Sequence, residues 1–96
     1  MDKRITLITG ASRGLGRAIA EGLGDAGARL VINGRKEATL KAAADEMRAK
    51  GYDVLEAVFD VAVETEVEAA FEGFDAEGIA IDILVNNAGI QHRQPM

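Results

Sequence analysis

The sequence predicts an α/β fold, a parallel sheet with helices on both faces and strand order 3-2-1-4. Three observations predict it. Four short apolar runs alternate with three longer stretches of helical periodicity, a glycine-punctuated turn follows the first run directly, and polar or glycine residues close the C-terminal end of each run. Helices between all the strands call for parallel pairing with right-handed crossovers, and the doubly wound arrangement then gives that order.

The first run, Ile5-Thr6-Leu7-Ile8-Thr9, is β-branched at four of five positions and stopped by Gly10, which reads as a buried strand. From 15 to 26 the apolar residues Leu15, Ala18, Ile19, Leu23 and Ala26 recur at helical spacing, with Gly27 placed to cap the C-terminus. Within that helix Gly22 and Gly24 each lower the propensity by about 1 kcal/mol relative to Ala. Residues 29–33, with Leu30-Val31-Ile32 at their centre, give a second strand ending at Asn33-Gly34. Asn-Gly is also a hairpin signal, but residues 36–50 contain no Gly or Pro and are rich in Ala, Glu, Lys and Leu, so a helix follows instead. Its face is Leu40, Ala43, Ala44 and Met47, and Gly51 ends it. A third strand is expected at 53–59. Val63, Val67, Ala70, Phe71 and Phe74 then form one helical stripe, with Glu64, Glu66, Glu68 and Glu72 mainly on other faces, and this helix ends between 73 and 78. The fourth strand, 81–85, runs into Asn86-Asn87-Ala88-Gly89, and residues 90–96 have no readable periodicity.

At 96 residues, 48% apolar and 28% charged, the composition excludes a disordered tail and leaves room for one domain or part of one. Cysteine is absent, which excludes disulfides, thiolate catalysis and Cys-ligated metal or iron–sulfur centres. The first apolar run is far shorter than a signal peptide's core or the roughly 20 residues of a membrane span, so a cytoplasmic protein without a membrane partner is expected. The net charge of −5 is uneven: residues 1–50 carry ten Lys or Arg against six acids, residues 51–96 one Arg against ten. The basic residues are scattered over three elements, which argues against a nucleic-acid partner but suits a small anionic ligand near the N-terminal half.

The turn Thr9-Gly10-Ala11-Ser12-Arg13-Gly14-Leu15-Gly16 lies between strand and helix, where backbone N–H groups and the positive helix end hold a diphosphate well. Gly10 allows the tight turn, and Gly14 and Gly16 let backbone and helix come close to ligand and sheet. The spacing is not Gly-x-Gly-x-x-Gly, and the Gly-Lys-Ser/Thr of a P-loop is missing, which disfavours ATP hydrolysis. About twenty residues on, dinucleotide-binding folds often place an acid on the adenosine ribose. Here Asn33, Gly34 and Arg35 stand at that strand end, so no carboxylate repels a 2′-phosphate, and Arg35 and Arg13 offer cations to one. NADP is therefore favoured over NAD. Taken singly, the loop also reads as an ordinary connection and each arginine as a solvated charge; Asp60 also suits a cap for the third helix, and Asn86-Asn87 a turn. All of them fall at the C-terminal strand ends, the ligand edge of an open α/β sheet.

Three motifs in order resemble those of the short-chain dehydrogenases/reductases. Thr9 to Gly16 is similar to that family's Thr-Gly-x-x-x-Gly-x-Gly loop, Asp60-Val61 to its pair after the third strand, and Asn86-Asn87-Ala88-Gly89 to its Asn-Asn-Ala-Gly segment. The resemblance covers 5–89 and implies a Rossmann-type fold, of which this chain is expected to be the N-terminal, incomplete part. It implies that Ser12, Arg13 and Leu15 line the cofactor, that Asp60 and Val61 meet the adenine, that Asn87 with Ala88 and Gly89 lies along the ribose, and that Gly34-Arg35 follows an NADP-preferring pattern.

Hydride transfer to a carbonyl also needs a group that protonates the developing alkoxide. The resemblance implies a Ser and a Tyr-x-x-x-Lys, but the sequence has only Ser12, inside the loop, and Tyr52, followed four residues later by Glu56. No catalytic residue and no metal ligand set is identified, His92 included, and the chain alone is expected to be catalytically silent. Residues 89–96 resemble the corresponding segment of gluconate 5-dehydrogenase-like members, which reduce keto-sugar acids. The expected parent is an oxidoreductase moving hydride between NADP(H) and a small alcohol or ketone, with a sugar acid as one candidate and homo-oligomeric in form. A 3-oxoacyl-carrier-protein reductase and a non-catalytic nucleotide-binding module are the alternatives.

Overall fold

The computed structural model describes residues 4–12 and 14–87. Its elements are β1 (Ile5–Ile8), α1 (Gly14–Asp25), β2 (Arg29–Gly34), α2 (Glu37–Ala49), β3 (Val54–Val58), α3 (Glu64–Ala76) and β4 (Ile83–Val85). The four strands form one sheet in the order β3-β2-β1-β4 with every pair parallel, as the sequence predicts. The register sets Ile8 beside Ile32 and Val85, and Asn33 beside Ala57, so the strand ends that lead into the loops lie next to one another.

Successive side chains of a strand point to opposite faces, and the core divides accordingly. Ile8, Leu30 and Ile32 face Ala20 of α1 and the predicted stripe of α2, Leu40, Ala43, Ala44 and Met47, all of them buried. On the other face Leu7, Val31 and Ala57 pack with Phe59 and with Phe74 of α3. Helices thus cover both faces, two on one and one on the other.

The α3 stripe is only partly buried. Phe74 is inside and Val67 and Ala70 are half-buried, while Val63 and Phe71 are exposed, as are Ile83 and Leu84 of the edge strand β4. Among the described residues β4 pairs with β1 alone, so the sheet under α3 gives its stripe few side chains to meet. Phe71 and Phe74 instead stack edge to face at 5.4 Å.

The first two helices are fastened to each other by charge. Arg17 pairs with Glu46 of α2 and, at 3.0 Å, with Glu21 one turn along, and Lys50 reaches Glu21 at 3.2 Å. The bond to Glu46, then that to Glu21, holds the Arg17 guanidinium above its ordinary value, and Arg17 followed by Lys50 holds the Glu21 carboxyl below its own. Tyr52 packs its ring over Gly24 and donates its hydroxyl proton to Asp25, a bond that pushes the phenol up. This half-buried place between α1 and β3 is the structural role that its sequence context suggests.

Candidate cofactor site

The loop between β1 and α1 is built on two left-handed glycines, Gly10 at φ 63° and Gly14 at φ 68°. Two asparagines hold it from either side. Asn33 at the end of β2 accepts the Gly10 N–H on its side-chain oxygen at 3.2 Å and the Ala11 N–H on its main-chain oxygen at 2.8 Å. Asn87, just beyond β4, donates its Nδ2 to the Gly10 carbonyl at 3.1 Å. Thr9 joins the same edge, its N–H on the Val85 carbonyl at 3.0 Å and its hydroxyl on Asn86 Oδ1 at 3.2 Å.

Gly16 shows why the helix follows so closely. A Cβ there would lie 2.2 Å from the Gly10 oxygen and 2.5 Å from Asn87 Nδ2, so only glycine lets α1 start against the loop. The first-turn N–H groups of α1 lack intrahelical acceptors by geometry, and no carboxylate in that turn competes with an anion for them.

Beside the loop is a polar cleft of about 130 Å³ lined by Ser12, Arg35, Lys36 and Thr39. Lys36 is the N-cap of α2 in extended conformation and makes no side-chain cap bond. The cleft therefore combines two cations, two hydroxyls and an uncapped helix start, a donor set suited to a phosphate. Lys36 and Thr39 escape the sequence reading. The basic pair Arg35-Lys36 at a helix start, with a hydroxyl three residues on and so on the same helical face, is the signal that finds them.

At the end of β3, Asp60 accepts the Ala62 N–H on Oδ1 at 2.9 Å while its own N–H goes to Glu66 Oε1 at 2.9 Å. Asp60 thus closes a local turn ahead of α3 and does not cap that helix, whose N-cap is Val63 without a side-chain cap bond. Next to it Val61 lines an apolar hollow of about 170 Å³ with Leu7, Phe59, Val67, Phe71 and Leu84. The loop, the cleft and this turn share one edge of the sheet, as the motif placement predicts. Ser12 and Leu15 lie on the loop side of it, Leu15 with its side chain more than half exposed.

Asn33, expected among the cofactor-binding residues, is 2% exposed, and its amide donates to the Ala57 and Phe59 carbonyls at 3.1 and 2.8 Å. Its side chain is directed into the strand ends and not toward a ligand. Gly34 is buried, and a Cβ there would meet the Leu40 side chain at 3.4 Å, an ordinary contact. Arg13, Ala88 and Gly89 lie outside the described residues, as does His92.

A dinucleotide carrying a 2′-phosphate fits this donor set: the glycine loop and α1 start suit a diphosphate, and the Arg35–Lys36 cleft suits a further phosphate. The model of the short chain dehydrogenase family matches residues 4–96. The chain belongs to that family. Among the relatives of this chain, 2-dehydro-3-deoxy-D-gluconate 5-dehydrogenase of Formosa agariphila is 45% identical over 94 residues, 97% of this chain and 36% of its own. The 3-oxoacyl-[acyl-carrier-protein] reductase of Escherichia coli is 44% identical over 87 residues, 91% of this chain and 34% of its own. The crystal structure of gluconate 5-dehydrogenase from Burkholderia cenocepacia in complex with NADP and tartrate superposes with a TM-score of 0.87 at 50% identity, covering 99% of this chain and 37% of that one. The chain thus spans about a third of the length of the curated relatives it matches. No helix among the described residues is long and apolar enough to cross a membrane.

Proposed function

We propose that this chain is the NADP(H)-binding, N-terminal portion of a single dinucleotide-binding domain, in a cytoplasmic oxidoreductase whose whole protein, a homo-oligomer, acts on a sugar acid or its keto form. The observation that carries the cofactor reading is the cleft of Ser12, Arg35, Lys36 and Thr39 beside the glycine loop. In this reading the cofactor, when bound, supplies the hydride. The chain's own residues bind and orient it: the α1 start and the loop take the diphosphate, Arg35 and Lys36 the 2′-phosphate, and the turn at Asp60-Val61 the adenine. Ser12, Leu15 and the segment from Asn87 through Ala88 and Gly89 line the rest, with Arg13 a further cation. Among the described residues no carboxylate lines the cleft to favour a free 2′-hydroxyl, which supports NADP over NAD.

The sugar-acid class is supported by relatives named for gluconate and its keto forms, at 45%, 43% and 39% identity, and by the neighbour solved with NADP and tartrate. This reading assigns the general acid to none of the described residues: Ser12 lines the cleft beside the loop, and Tyr52 is bonded to Asp25.

Titration of the chain with NADPH and NADH, read by nicotinamide fluorescence, tests the cofactor reading. Tighter binding of NADPH is expected; absent binding, or a preference for NADH, overturns it. In the whole protein, NADPH-dependent reduction of 5-keto-D-gluconate tests the substrate class, and reduction of 3-oxoacyl thioesters in its place overturns it.

A further inference from the structure

We propose that Asn33 is a positioning residue, one that sets the diphosphate loop relative to the adenine-side turn without touching the cofactor. The inference rests on the cofactor reading above. Asn33 joins three adjacent strand ends: its Oδ1 takes the Gly10 N–H after β1, and its Nδ2 gives one hydrogen to Ala57 of β3 and one to Phe59 just beyond it. Its main-chain oxygen takes the Ala11 N–H as well. Both amide hydrogens are placed, and the residue is 2% exposed, so the side chain has no donor left and almost no surface for a ligand.

The amide is chemically required. The site needs one acceptor toward Gly10 and two donors toward Ala57 and Phe59, and only a carboxamide offers that set at this length. A carboxylate has the acceptor but no donor, and would set its charge against two carbonyl oxygens in a buried place. Asn33 is thereby linked to Gly10 at one end and to the residue before Asp60 at the other, the two parts proposed to hold diphosphate and adenine. Those groups are common to NADP and NAD. A positioning residue here must therefore act on both cofactors equally, whereas a residue touching the ribose acts on the choice between them.

The experiment titrates NADPH and NADH into the wild-type chain, Asn33→Asp and Asn33→Ala, with circular dichroism fixing the folded fraction. Affinity for both cofactors is expected to fall by the same factor, about tenfold, with the NADPH-to-NADH ratio unchanged. A ratio moving toward NADH in Asn33→Asp overturns the inference in favour of ribose contact. Unchanged affinities in folded, less stable protein also overturn it, since a merely structural role moves only the melting temperature. Where Asn33→Asp does not fold, Asn33→Ala decides: faster hydrogen exchange at the Gly10 amide together with the parallel loss of both affinities supports positioning, and either one without the other overturns it. Failure of the wild-type chain to bind either cofactor is a different result, which overturns the cofactor reading and this inference with it.

Discussion

Tyr52 lies across Gly24 so closely that a Cβ on Gly24 would stand 2.8 Å from the ring's Cγ. Two residues earlier in the same helix, a Cβ on Gly22 would meet nothing within 4 Å. The two glycines therefore have opposite consequences. Gly22→Ala is expected to raise stability by about 1 kcal/mol, the helix-propensity difference, because nothing opposes it. Gly24→Ala gains the same propensity but must displace an aromatic ring, at about 1–3 kcal/mol, so its net effect is neutral to destabilising. Urea unfolding of the two variants checks this; equal stabilisation by both would show that Tyr52 does not rest on Gly24.

Gly16→Ala is expected to be the more damaging glycine substitution. Its Cβ meets Asn87 Nδ2 at 2.5 Å and, more seriously, backbone: the Gly10 oxygen at 2.2 Å, which cannot turn aside as a side chain does. Either α1 moves away or the loop gives, and both change the place proposed for the diphosphate. A lower melting temperature with a loss of NADPH affinity of at least tenfold is expected. Wild-type affinity in a folded Gly16→Ala protein would separate the close approach from binding.

Much of this was legible in the sequence because it depends on period and punctuation. Leu40, Ala43, Ala44 and Met47 are buried as their spacing predicts, and Gly10 takes the left-handed conformation that ends β1. What a side chain faces is less legible. Asn33 stands where an acid often meets the ribose, and nothing in the linear pattern says that Ala57 and Phe59 bring their carbonyls to it. Lys36 and Thr39 join Ser12 only when α2 docks beside the loop, and the docking is set by the core behind Leu40. The Phe71 and Val63 positions share the α3 stripe yet remain exposed, because periodicity gives the face and not how much of the sheet lies beneath it.

Acid is expected to loosen α1 from α2. The Glu21 carboxyl is held below its ordinary value by Arg17 and then Lys50, so the stability it contributes is fully present above the unfolded-state value and is lost as pH falls through the folded one. About a quarter of each of the Arg17 and Glu21 side chains is exposed, and solvent screening keeps the contribution to about 1 kcal/mol or less. Stability measured against pH should fall less steeply below the ordinary carboxylate range in Glu21→Gln than in the wild type, with the two curves parallel near neutrality. Identical slopes in acid would show that the pair contributes nothing.

Arg35 carries the cofactor preference in this reading, and reversing its charge is the sharpest way to test it. It lies exposed in the cleft with Lys36, Ser12 and Thr39, so a 2′-phosphate there gains charge-assisted bonds while a bare 2′-hydroxyl gains little. Arg35→Asp replaces attraction by repulsion and offers the ribose hydroxyls an acceptor. NADPH affinity should fall by about 10- to 100-fold while NADH affinity holds or rises. Lys36→Ala should lower NADPH affinity by a smaller factor and leave NADH affinity unchanged. Because the cleft is open, added salt should weaken NADPH binding more than NADH binding in the wild type and should lose that difference in Arg35→Asp. An unchanged preference in Arg35→Asp would remove Arg35 as the group that reads the phosphate and would leave Lys36 and the start of α2 to do so.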